Sequence, residues 1–317
     1  MKVLFVASGN KKVGEVSSFV QSQYDSLTAE GLDMTLFPVK GKGWRGYAKA
    51  VFSLRKLLKQ EKPDIIHAHY SICGFVASLA TIGMLRKPKI VVSILGSFPT
   101  RNNKWKMVRW SIKYLWNATI VKSQRTASQL ELPVNIIPNG VNLEIFKTID
   151  NAEARKIVGF EKNKKYVIWC SNPERPEKNW SLAQASMSGL DAELAAVYNK
   201  TPDEVCLYMN AADCLLLTSD SEGSPNVIKE AMACNCPIVT TNVGDVEERL
   251  INLEGCYIIQ DEDCRFADKQ KAARLTAREL SKALAFEKRT NGRQRIIDDK
   301  LEISQIAKRI KDIYDNL

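Results

Sequence analysis

The sequence predicts an α/β protein made of two doubly wound, Rossmann-like domains. Two observations support this: short apolar runs alternate with amphipathic stretches along the chain, and the alternation begins again after a polar segment near its middle. Strands that are apolar on both faces and separated by helices form parallel sheets with helices on both sides. A chain of 317 residues is also long for one hydrophobic core and suits two.

The first half holds six predicted strands. They lie at 2–8, 33–39, 64–70, 89–95, 118–123 and 134–138. Amphipathic periodicity predicts helices at 17–30 and 47–60, and Pro63 separates the second helix from the strand that follows. We therefore assign residues 1–148 to an N-terminal domain.

The second half repeats this order with five predicted strands. They lie at 165–171, 193–199, 213–219, 236–242 and 255–260. The polar segment 151–164 has no strand pattern and is predicted to be the linker. Residues 149–300 form the predicted C-terminal domain, and a charged helix at about 301–317 is expected to cross back onto the first domain. In open parallel sheets the ligand binds beyond the carboxyl ends of the strands, so residues just after each strand are the candidates for the site.

Charge is distributed unevenly along the chain. Residues 1–148 carry 22 Lys and Arg against 8 Asp and Glu, a net +14, whereas the remainder carries 24 against 28, a net −4. A basic half indicates an anionic partner. The eight cysteines form no CxxC pair and the chain has two histidines, so we predict reduced thiols and no metal site. No run approaches the roughly 18–20 apolar residues of a membrane span, and we expect a cytoplasmic or peripheral protein.

The strongest motif follows the predicted strand 213–219 and opens a helix. It reads Ser219-Asp220-Ser221-Glu222-Gly223-Ser224-Pro225-Asn226-Val227-Ile228-Lys229-Glu230-Ala231-Met232-Ala233. Ser224 is predicted as the N-cap and Pro225 as the first helical residue. Free N–H groups at such a helix start bind anions such as a pyrophosphate, and the two glutamates are suited to sugar hydroxyls. The residues alone also fit an ordinary strand–helix turn with solvated glutamates.

Three blocks together resemble the retaining glycosyltransferases of family 4. Glu222 and Glu230 form the Glu-x7-Glu pair of that family. The block 171–179, Ser-Asn-Pro-Glu-Arg-Pro-Glu-Lys-Asn, is similar to its Arg-Pro-x-Lys-Asn element. The block 137–146, Ile-Pro-Asn-Gly-Val-Asn-Leu-Glu-Ile-Phe, is similar to the element that ends its first domain. The resemblance covers nearly the whole chain and implies the GT-B fold, in which two Rossmann-like domains face each other across a cleft.

The resemblance also implies a function and a set of site residues. A UDP- or GDP-linked sugar is transferred with retention, and without a metal ion or other cofactor, to a glycan or glycolipid acceptor in surface polysaccharide biosynthesis. Arg175 and Lys178 bind the diphosphate, Glu230 holds the ribose, and Glu222 lies beside the donor sugar as a catalytic residue. The other implied donor contacts are Gly14, Asn199, Lys200, Gly223, Ser224, Pro225, Asn226 and Val227. The implied acceptor-side residues are Gly9, Asn10, Gly96 and Ser97.

His67 and His69 lie two residues apart at the end of a predicted strand and therefore share one face. Such a pair either binds a metal or packs and hydrogen-bonds at the site, and we favour the second interpretation. His69 is predicted as a catalytic, acceptor-side contact.

The chain departs from the family at two places. Leu95 precedes Gly96 where many members carry a histidine. The stretch 180–193 is shorter than is common and lacks one strand–helix unit, which affects the assignment of the base pocket. We find no nucleophile to place on the far side of the sugar. This fits a front-face mechanism, in which the leaving phosphate helps to deprotonate the acceptor.

The segment 101–125 is basic and rich in tryptophan. If it is helical, Lys106, Arg109 and Lys113 share one face, while Trp105, Val108, Ile112 and Trp116 share another. Either the helix lies on an anionic bilayer, at the inner face of the plasma membrane, or its apolar side packs on the core; we favour the bilayer.

Three other functions fit part of the sequence. A nucleotide-sugar epimerase of the same fold needs no separate acceptor. A basic nucleic-acid-binding module uses the positive half but leaves the glutamate pair, Arg175 and Lys178 without a role, and we expect no nucleic acid partner. A catalytically inactive scaffold of the same fold is separated from the enzyme only by assay.

Overall fold

Two parallel sheets form the framework of the protein. The computed structural model describes residues 1–9, 15–41, 43–96, 103–260 and 268–317. One unit comprises Met1–Pro138 with Ile303–Leu317, and the other comprises Asn139–Glu302. Each unit holds one sheet in which every pair of neighbouring strands is parallel. The predicted pair of doubly wound α/β units is therefore confirmed.

The first unit is built on a six-stranded sheet. Its strands are β1 (Lys2–Ser8), β2 (Asp33–Val39), β3 (Ile65–His69), β4 (Lys89–Ser93), β5 (Ala118–Val121) and β6 (Asn135–Ile136), in the order β2-β1-β3-β4-β5-β6. β1 and β2 have the predicted bounds. The other four are shorter than predicted; at two of them, Ile94 and Ile137 are buried although they lie beyond the end of the strand.

The helices of the first unit are α1 (Ser18–Ala29), α2 (Gly43–Glu61), α3 (Ser71–Thr81), α4 (Asn103–Tyr114) and α5 (Gln124–Leu130). The inner sides of α2, α3 and α4 share one core cluster with the sheet; Leu54, Val76 and Val108 are members of it. Three helices that bury their sides in one cluster lie on the same face of the sheet, as right-handed crossovers require.

The apolar side of α4 corrects one interpretation of the segment 101–125. Trp105, Val108, Ile112 and Trp116 are all buried. They pack into the core cluster of the first unit. This side of the helix therefore covers the sheet and does not face a bilayer. Residues 101 and 102 lie outside the described residues.

The second unit carries a five-stranded sheet. Its strands are β7 (Tyr166–Trp169), β8 (Glu193–Ala196), β9 (Cys214–Leu217), β10 (Ile238–Thr241) and β11 (Cys256–Ile259), in the order β11-β10-β9-β7-β8. Its helices are α6 (Asn151–Val158), a 3-10 turn (Pro176–Lys178), α7 (Trp180–Ala185), α8 (Pro202–Ala211), α9 (Asn226–Ala233), α10 (Val246–Leu250), α11 (Lys269–Ala285) and α12 (Gly292–Asp298).

The closing helix, α13 (Ile303–Asp315), belongs to the first unit, as predicted. The Ser26 hydroxyl donates to the Ile303 carbonyl at 3.2 Å, and Arg309 donates to the Ile136 carbonyl at 2.8 Å. The hydroxyl of Tyr314 lies 2.5 Å from His67 Nδ1. These contacts attach the end of the chain to the N-terminal sheet.

The boundary between the units differs from the predicted one near residue 148. The chain divides after Pro138, and the segment that follows is held by the second unit. The Val141 amide donates to the Leu301 carbonyl at 3.0 Å, and Arg293 donates to the carbonyls of Leu143 and Phe146. These bonds join residues about 150 apart in the chain, so no local pattern reports them.

The predicted linker 151–164 is also part of the second unit. Its first residues form α6, which is held to the sheet by Arg155. This buried guanidinium donates to the Ala211 carbonyl at 3.0 Å and to Asp213 Oδ2 at 2.8 Å. The segment looks polar because a paired arginine, rather than an apolar stripe, makes much of its contact with the core. No helix in the described ranges is long and apolar enough to cross a membrane.

Candidate active site

The order in which the chain adds strands to the sheet of the second unit reverses next to β7. β8 lies on one side of β7 and β9 on the other, so the strand order reverses between β7 and β9. Ligands of open parallel sheets bind at this point, beyond the carboxyl ends of the strands. The block with Arg175 and Lys178 follows β7, and Glu222 follows β9. The topology thus brings two of the predicted motifs to one place.

Hydrogen bonds fix the loop after β7 to the end of β9. The Thr218 hydroxyl accepts from Trp169 Nε1 at 2.9 Å and lies 2.9 Å from the Lys178 carbonyl, to which it donates. Asn179 Nδ2 donates to Asp220 Oδ1 at 3.1 Å. These bonds set the backbone from which the Lys178 side chain extends.

The structure pairs Lys178 with Glu222 through a short hydrogen bond between the ammonium and the carboxylate. Both side chains are 17% exposed, so the pair is largely withdrawn from water yet open on one side. Arg175 does not join them. Its guanidinium binds Glu177 Oε1 at 2.5 and 2.8 Å, and its side chain is 55% exposed.

A buried charge cluster holds the turn that precedes α9. Lys229 Nζ donates to Asp245 Oδ1 at 2.8 Å and to Ser224 Oγ at 2.5 Å. Ser224 Oγ in turn donates to Asp245 Oδ2 at 2.9 Å. All three side chains are buried, and burial lowers the pKa of Lys229 below its usual value. The Asp245 carboxylate raises the pKa of Lys229 and so opposes this effect only in part.

The cluster explains why the predicted N-cap is wrong. Ser224 was expected to cap the helix, but its hydroxyl is held by Lys229 and Asp245. Pro225 occupies the N-cap position instead, the helix begins at Asn226, and no side chain caps it. The first N–H groups of α9 are therefore not satisfied by a side-chain cap, and this makes the helix start a candidate anion site at the switch point. The phosphate contacts that the resemblance implies for Asn226 and Val227 stay a prediction.

Two further contacts make this turn rigid. Asn139 Nδ2 donates to the Ser224 carbonyl at 3.0 Å and to Asn226 Oδ1 at 2.8 Å. Gly244 has φ +59°, and a Cβ there would lie 2.7 Å from the Gly223 carbonyl oxygen. Only glycine at position 244 allows this close approach without strain. The turn is thus fixed from two sides before any ligand arrives.

Glu230 lies in α9, one turn beyond the anion site, and is half-buried. Burial raises the pKa of its carboxyl to about 7, and the nearby charge of Lys229 opposes this only in part. No other described side chain donates a hydrogen bond to this carboxyl. A partly buried carboxyl without such a donor is suited to accept hydrogen bonds from the hydroxyl groups of a ligand.

Asn199 and Lys200 follow β8, which lies on the other side of β7 from β9. Asn199 adopts a left-handed backbone with φ 56°. Lys200 forms a surface pair with Glu204 at 2.9 Å. Their assignment to the donor site stays a prediction.

The first unit has its own switch point, between β1 and β3. Gly9 follows β1, and a Cβ there would lie 2.7 Å from the Pro38 Cβ, so packing demands this glycine. Gly96 follows β4 and is exposed, with open space where a Cβ would stand. Asn10, Gly14 and Ser97 lie outside the described residues.

His67 and His69 end β3, and both are fully buried. His67 Nδ1 lies 2.5 Å from the Tyr314 hydroxyl, and its Nε2 lies 2.8 Å from Ser93 Oγ. Burial lowers the pKa of His67 well below its usual value, so this ring is a neutral bridge between two hydroxyl groups.

His69 stacks on His67 at 4.6 Å, and burial lowers its pKa to about 3. Its ring nitrogens have no hydrogen-bond partner among the described residues. The structure thus favours the packing interpretation of the pair, and His69 has no open surface toward an acceptor.

Among the described residues, no three His, Cys, Asp or Glu side chains are grouped to hold a metal ion, and every cysteine there is free.

Comparison with known proteins identifies the family. Residues 14–145 match the family described as Glycosyltransferase Family 4, and residues 150–275 match Glycosyl transferases group 1. The chain belongs to glycosyltransferase family 4.

Two relatives illustrate the similarity in sequence. The N-acetyl-alpha-D-glucosaminyl L-malate synthase of Bacillus anthracis is 24% identical over 269 residues, which are 72% of this chain and 69% of that protein. The UDP-Gal:alpha-D-GlcNAc-diphosphoundecaprenol alpha-1,3-galactosyltransferase of Escherichia coli is 25% identical over 242 residues, which are 62% of each chain.

Solved structures show the same fold. The sucrose-phosphate synthase of Thermosynechococcus elongatus superposes with a TM-score of 0.75 at 16% identity, covering 100% of this chain and 98% of that one. HepE of Anabaena, in complex with UDP, gives 0.71 at 15% identity, with both chains fully covered. At these identities the likeness shows the GT-B fold alone.

Sequence reasoning about this family 4 glycosyltransferase missed several buried polar residues. Lys122 directly follows β5, is buried, and its charge adds to the effect of burial in lowering the pKa of both histidines. Lys229 and Asp245 form the cluster under the turn, and Tyr314 bonds to His67. A lysine inside an apolar run, as in Thr-Ile-Val-Lys-Ser at 119–123, was an available signal. Asp245 and Tyr314 had none, because their partners are distant in sequence.

Proposed function

We propose that the protein is a retaining, metal-independent glycosyltransferase that uses a UDP-sugar. One observation supports the donor site above all: Lys178 and Glu222 form an ion pair at the β7–β9 switch point. The uncapped start of α9 and the half-buried Glu230 belong to the same unit and follow Glu222 in the same motif. Each of these groups suits one part of a nucleotide-sugar. A UDP donor, rather than GDP, is favoured because HepE is described in complex with UDP and the E. coli relative is named for UDP-Gal.

The diphosphate is bound by exchange of ion pairs. In the free protein Lys178 is neutralised by Glu222, and Arg175 by Glu177. An arriving diphosphate competes for both cations and is also met by the first N–H groups of α9. The Glu222 carboxylate is then released to accept hydrogen bonds from the donor sugar. Positive charge at the phosphates stabilises the leaving group in the transition state.

Glu230 binds the ribose. Its carboxyl sits about a turn beyond the anion site and accepts no hydrogen bond from the side chains that the structure describes, so two ribose hydroxyls supply the missing donors. Hydroxyl donors favour the ionised form of a carboxyl. Donor binding therefore lowers the pKa of Glu230 from its value of about 7 in the free protein.

The transfer step takes place on one face of the sugar. The acceptor oxygen bonds to the anomeric carbon while the bond from that carbon to the phosphate oxygen breaks, and the acceptor proton passes to the leaving phosphate. Lys178 and Arg175 stay on the phosphate throughout. Retention rests on the family resemblance, and the cationic side chains supply the charge that a metal ion provides in other transferases.

The acceptor is a glycan or lipid-linked glycan of a surface polysaccharide, reached at the cytoplasmic face of the membrane. The basic first unit supports an anionic acceptor, such as one that carries a diphosphate. The name of the E. coli relative specifies a diphosphoundecaprenol acceptor.

Thermal unfolding with UDP, GDP, ADP and dTDP in the presence of EDTA tests the donor site. A nucleotide at about 100 times its Kd adds about 2.7 kcal/mol to stability. We expect UDP to do so, the Arg175→Ala/Lys178→Ala variant to lose the effect, and Lys156→Ala, an exposed lysine of the same unit, to keep it. If no nucleotide stabilises the protein, the donor site is contradicted.

NMR of the anomeric proton in the transfer product then separates retention from inversion.

A further inference from the structure

The outer side of the first unit exposes many large apolar residues. They lie on the solvent sides of α2, α3 and α4 and in the turn after α3: Trp44, Phe52, Leu79, Ile82, Leu85, Met107, Trp110 and Tyr114. Phe52 is 74% exposed and Trp110 is 54% exposed. We call this set, with the cations between them, the outer helical surface. Side chains of this size and number on one side of a monomer mark an interaction site.

These residues form one surface because the three helices share one core. Each buries its opposite side in the same cluster on the same face of the sheet. The Arg55 guanidinium of α2 donates to the Ala80 carbonyl of α3 at 3.3 Å, and Trp116, just after α4, donates to Ser78 of α3 at 3.1 Å. α3 therefore lies between α2 and α4, and their outer sides are continuous.

The charge of this region is almost entirely positive. Between Met34 and Glu131 the sequence has 18 Lys and Arg against two acids, Glu61 and Asp64. Both acids are paired, with Lys2 at 2.6 Å and with Arg86 at 3.0 Å. The outer helical surface thus carries no acidic side chain among the described residues of α2, α3 and α4 that is not already neutralised.

The cations on α2 follow the helical period. Arg45, Lys49, Lys56 and Lys59 are all exposed. At about 100° per residue they point away from the buried Leu54, and Phe52 stands among them. A stripe of cations with an aromatic residue inside it is typical of a helix that lies on an anionic bilayer.

On α4, cations and aromatic rings alternate at close range. The rings of Trp110 and Tyr114 have centroids 5.7 Å apart, and Lys113 Nζ lies 5.2 Å from the centre of the Tyr114 ring. Trp and Tyr prefer the boundary between headgroups and acyl chains, and lysine extends its ammonium toward the headgroups from an apolar stem. The rings and cations of α4 are therefore arranged as in a helix that lies at the boundary between headgroups and acyl chains.

We propose that the outer helical surface docks the protein on an anionic lipid bilayer. The surface differs from the face of α4 that the sequence indicated, which is buried against the sheet. Aliphatic side chains such as Leu79, Ile82 and Leu85 favour a bilayer over nucleic acid, because they gain free energy in acyl chains but not on a phosphate backbone. Only the role of this surface, which is to bring the enzyme to a lipid-linked acceptor, rests on the proposed function.

Co-sedimentation with lipid vesicles tests the proposal. The full-length protein is mixed with vesicles of phosphatidylcholine containing 30% phosphatidylglycerol, or of phosphatidylcholine alone, at low salt. One variant reverses charge, Lys106→Glu/Lys113→Glu, and one removes rings, Trp110→Ser/Tyr114→Ser. The matched control, Lys156→Glu/Ile157→Ser, changes an exposed lysine and an exposed isoleucine of the second unit. UDP-dependent thermal stabilisation is measured for every variant.

We expect binding to the anionic vesicles that salt weakens, and little binding to phosphatidylcholine alone. Charge reversal should weaken binding about 30-fold or more, because each lysine near an anionic surface contributes a factor of about five. Ring removal should weaken it about tenfold, and the control should bind as the wild type does.

The proposal is overturned if the wild type does not bind anionic vesicles, or if the control loses as much binding as the other variants. Preference for a single-stranded DNA oligomer over vesicles overturns it in favour of nucleic acid. Loss of the UDP effect with vesicle binding intact contradicts the proposed function and leaves the docking surface standing.

Discussion

Replacing Glu230 by glutamine tests whether the donor site stores unfavourable free energy in the unliganded protein. The carboxyl has a pKa of about 7 in the folded chain against an ordinary value of 4.5. A raised pKa means that the folded state favours the protonated acid. The resulting stability is fully present below pH 4.5 and is lost as the pH rises through about 7.

The size of the effect follows from the shift. Each pKa unit corresponds to about 1.4 kcal/mol, which sets an upper limit of about 3 kcal/mol at pH 8.5. Because Glu230 is only half-buried, solvent reduces this to about 2 kcal/mol. Glutamine has nearly the same shape and no charge. We therefore expect Glu230→Gln to match the wild type at pH 4.5 and to exceed it by about 2 kcal/mol at pH 8.5.

Thermal and denaturant unfolding at both pH values measure this difference. A gain of 2 kcal/mol corresponds to a rise in Tm of about 4–8 °C for a unit of this size. Glu254→Gln, at an exposed glutamate of the same unit, is the control and should show no such pH dependence. UDP should stabilise Glu230→Gln less than the wild type, since the ribose loses a charged acceptor. An equal gain at both pH values, or a loss at pH 8.5, would refute the reasoning.

Three further changes test the scaffold of the two sites. Lys229→Met leaves the Asp245 carboxylate buried without its nearest cation and should lower the free energy of unfolding in urea by about 3–5 kcal/mol. Adding Asp245→Asn should recover most of this loss. Equal losses in the single and double variants would contradict the coupling. Tyr314→Phe removes a buried hydrogen bond to His67 and should cost about 1–3 kcal/mol, with faster hydrogen exchange in the closing helix; unchanged exchange would contradict this. Gly244→Ala forces a Cβ against the turn before α9 and should abolish UDP stabilisation at a cost of about 1–3 kcal/mol; retained UDP binding would show that the turn tolerates movement.

Much of the fold was available from local pattern. β1 and β2 were predicted with their observed bounds, because each is a mostly apolar run that stops at a polar or turn residue. β1 is buried in the sheet, whereas β2 is a partly buried edge strand. The core of every other strand was also located. The ends were less accurate: Val197 and Tyr198 continue an apolar run but lie beyond the last pair of β8. Strand ends depend on the neighbouring strand, which a local pattern does not contain.

The site divides in the same way. The spacing of Glu222 and Glu230 and the block with Lys178 indicated the family and the donor motif from sequence alone, because these residues lie close together in the chain or in a fixed relation to a strand. Which groups meet was decided by tertiary structure. Lys178 pairs with Glu222 across 44 residues, whereas Arg175 pairs with its own neighbour Glu177.

Tertiary structure also decided which polar groups are buried. Ser224 is a good N-cap by local chemistry, but Lys229 and Asp245 hold its hydroxyl. The periodicity of α4 separated two sides correctly, yet only packing against the sheet showed which of them faces solvent. Sequence determined the elements, the family and the motifs, since these depend on neighbours in the chain. Burial and pairing depend on residues tens to hundreds of positions apart, and folding alone brings those together.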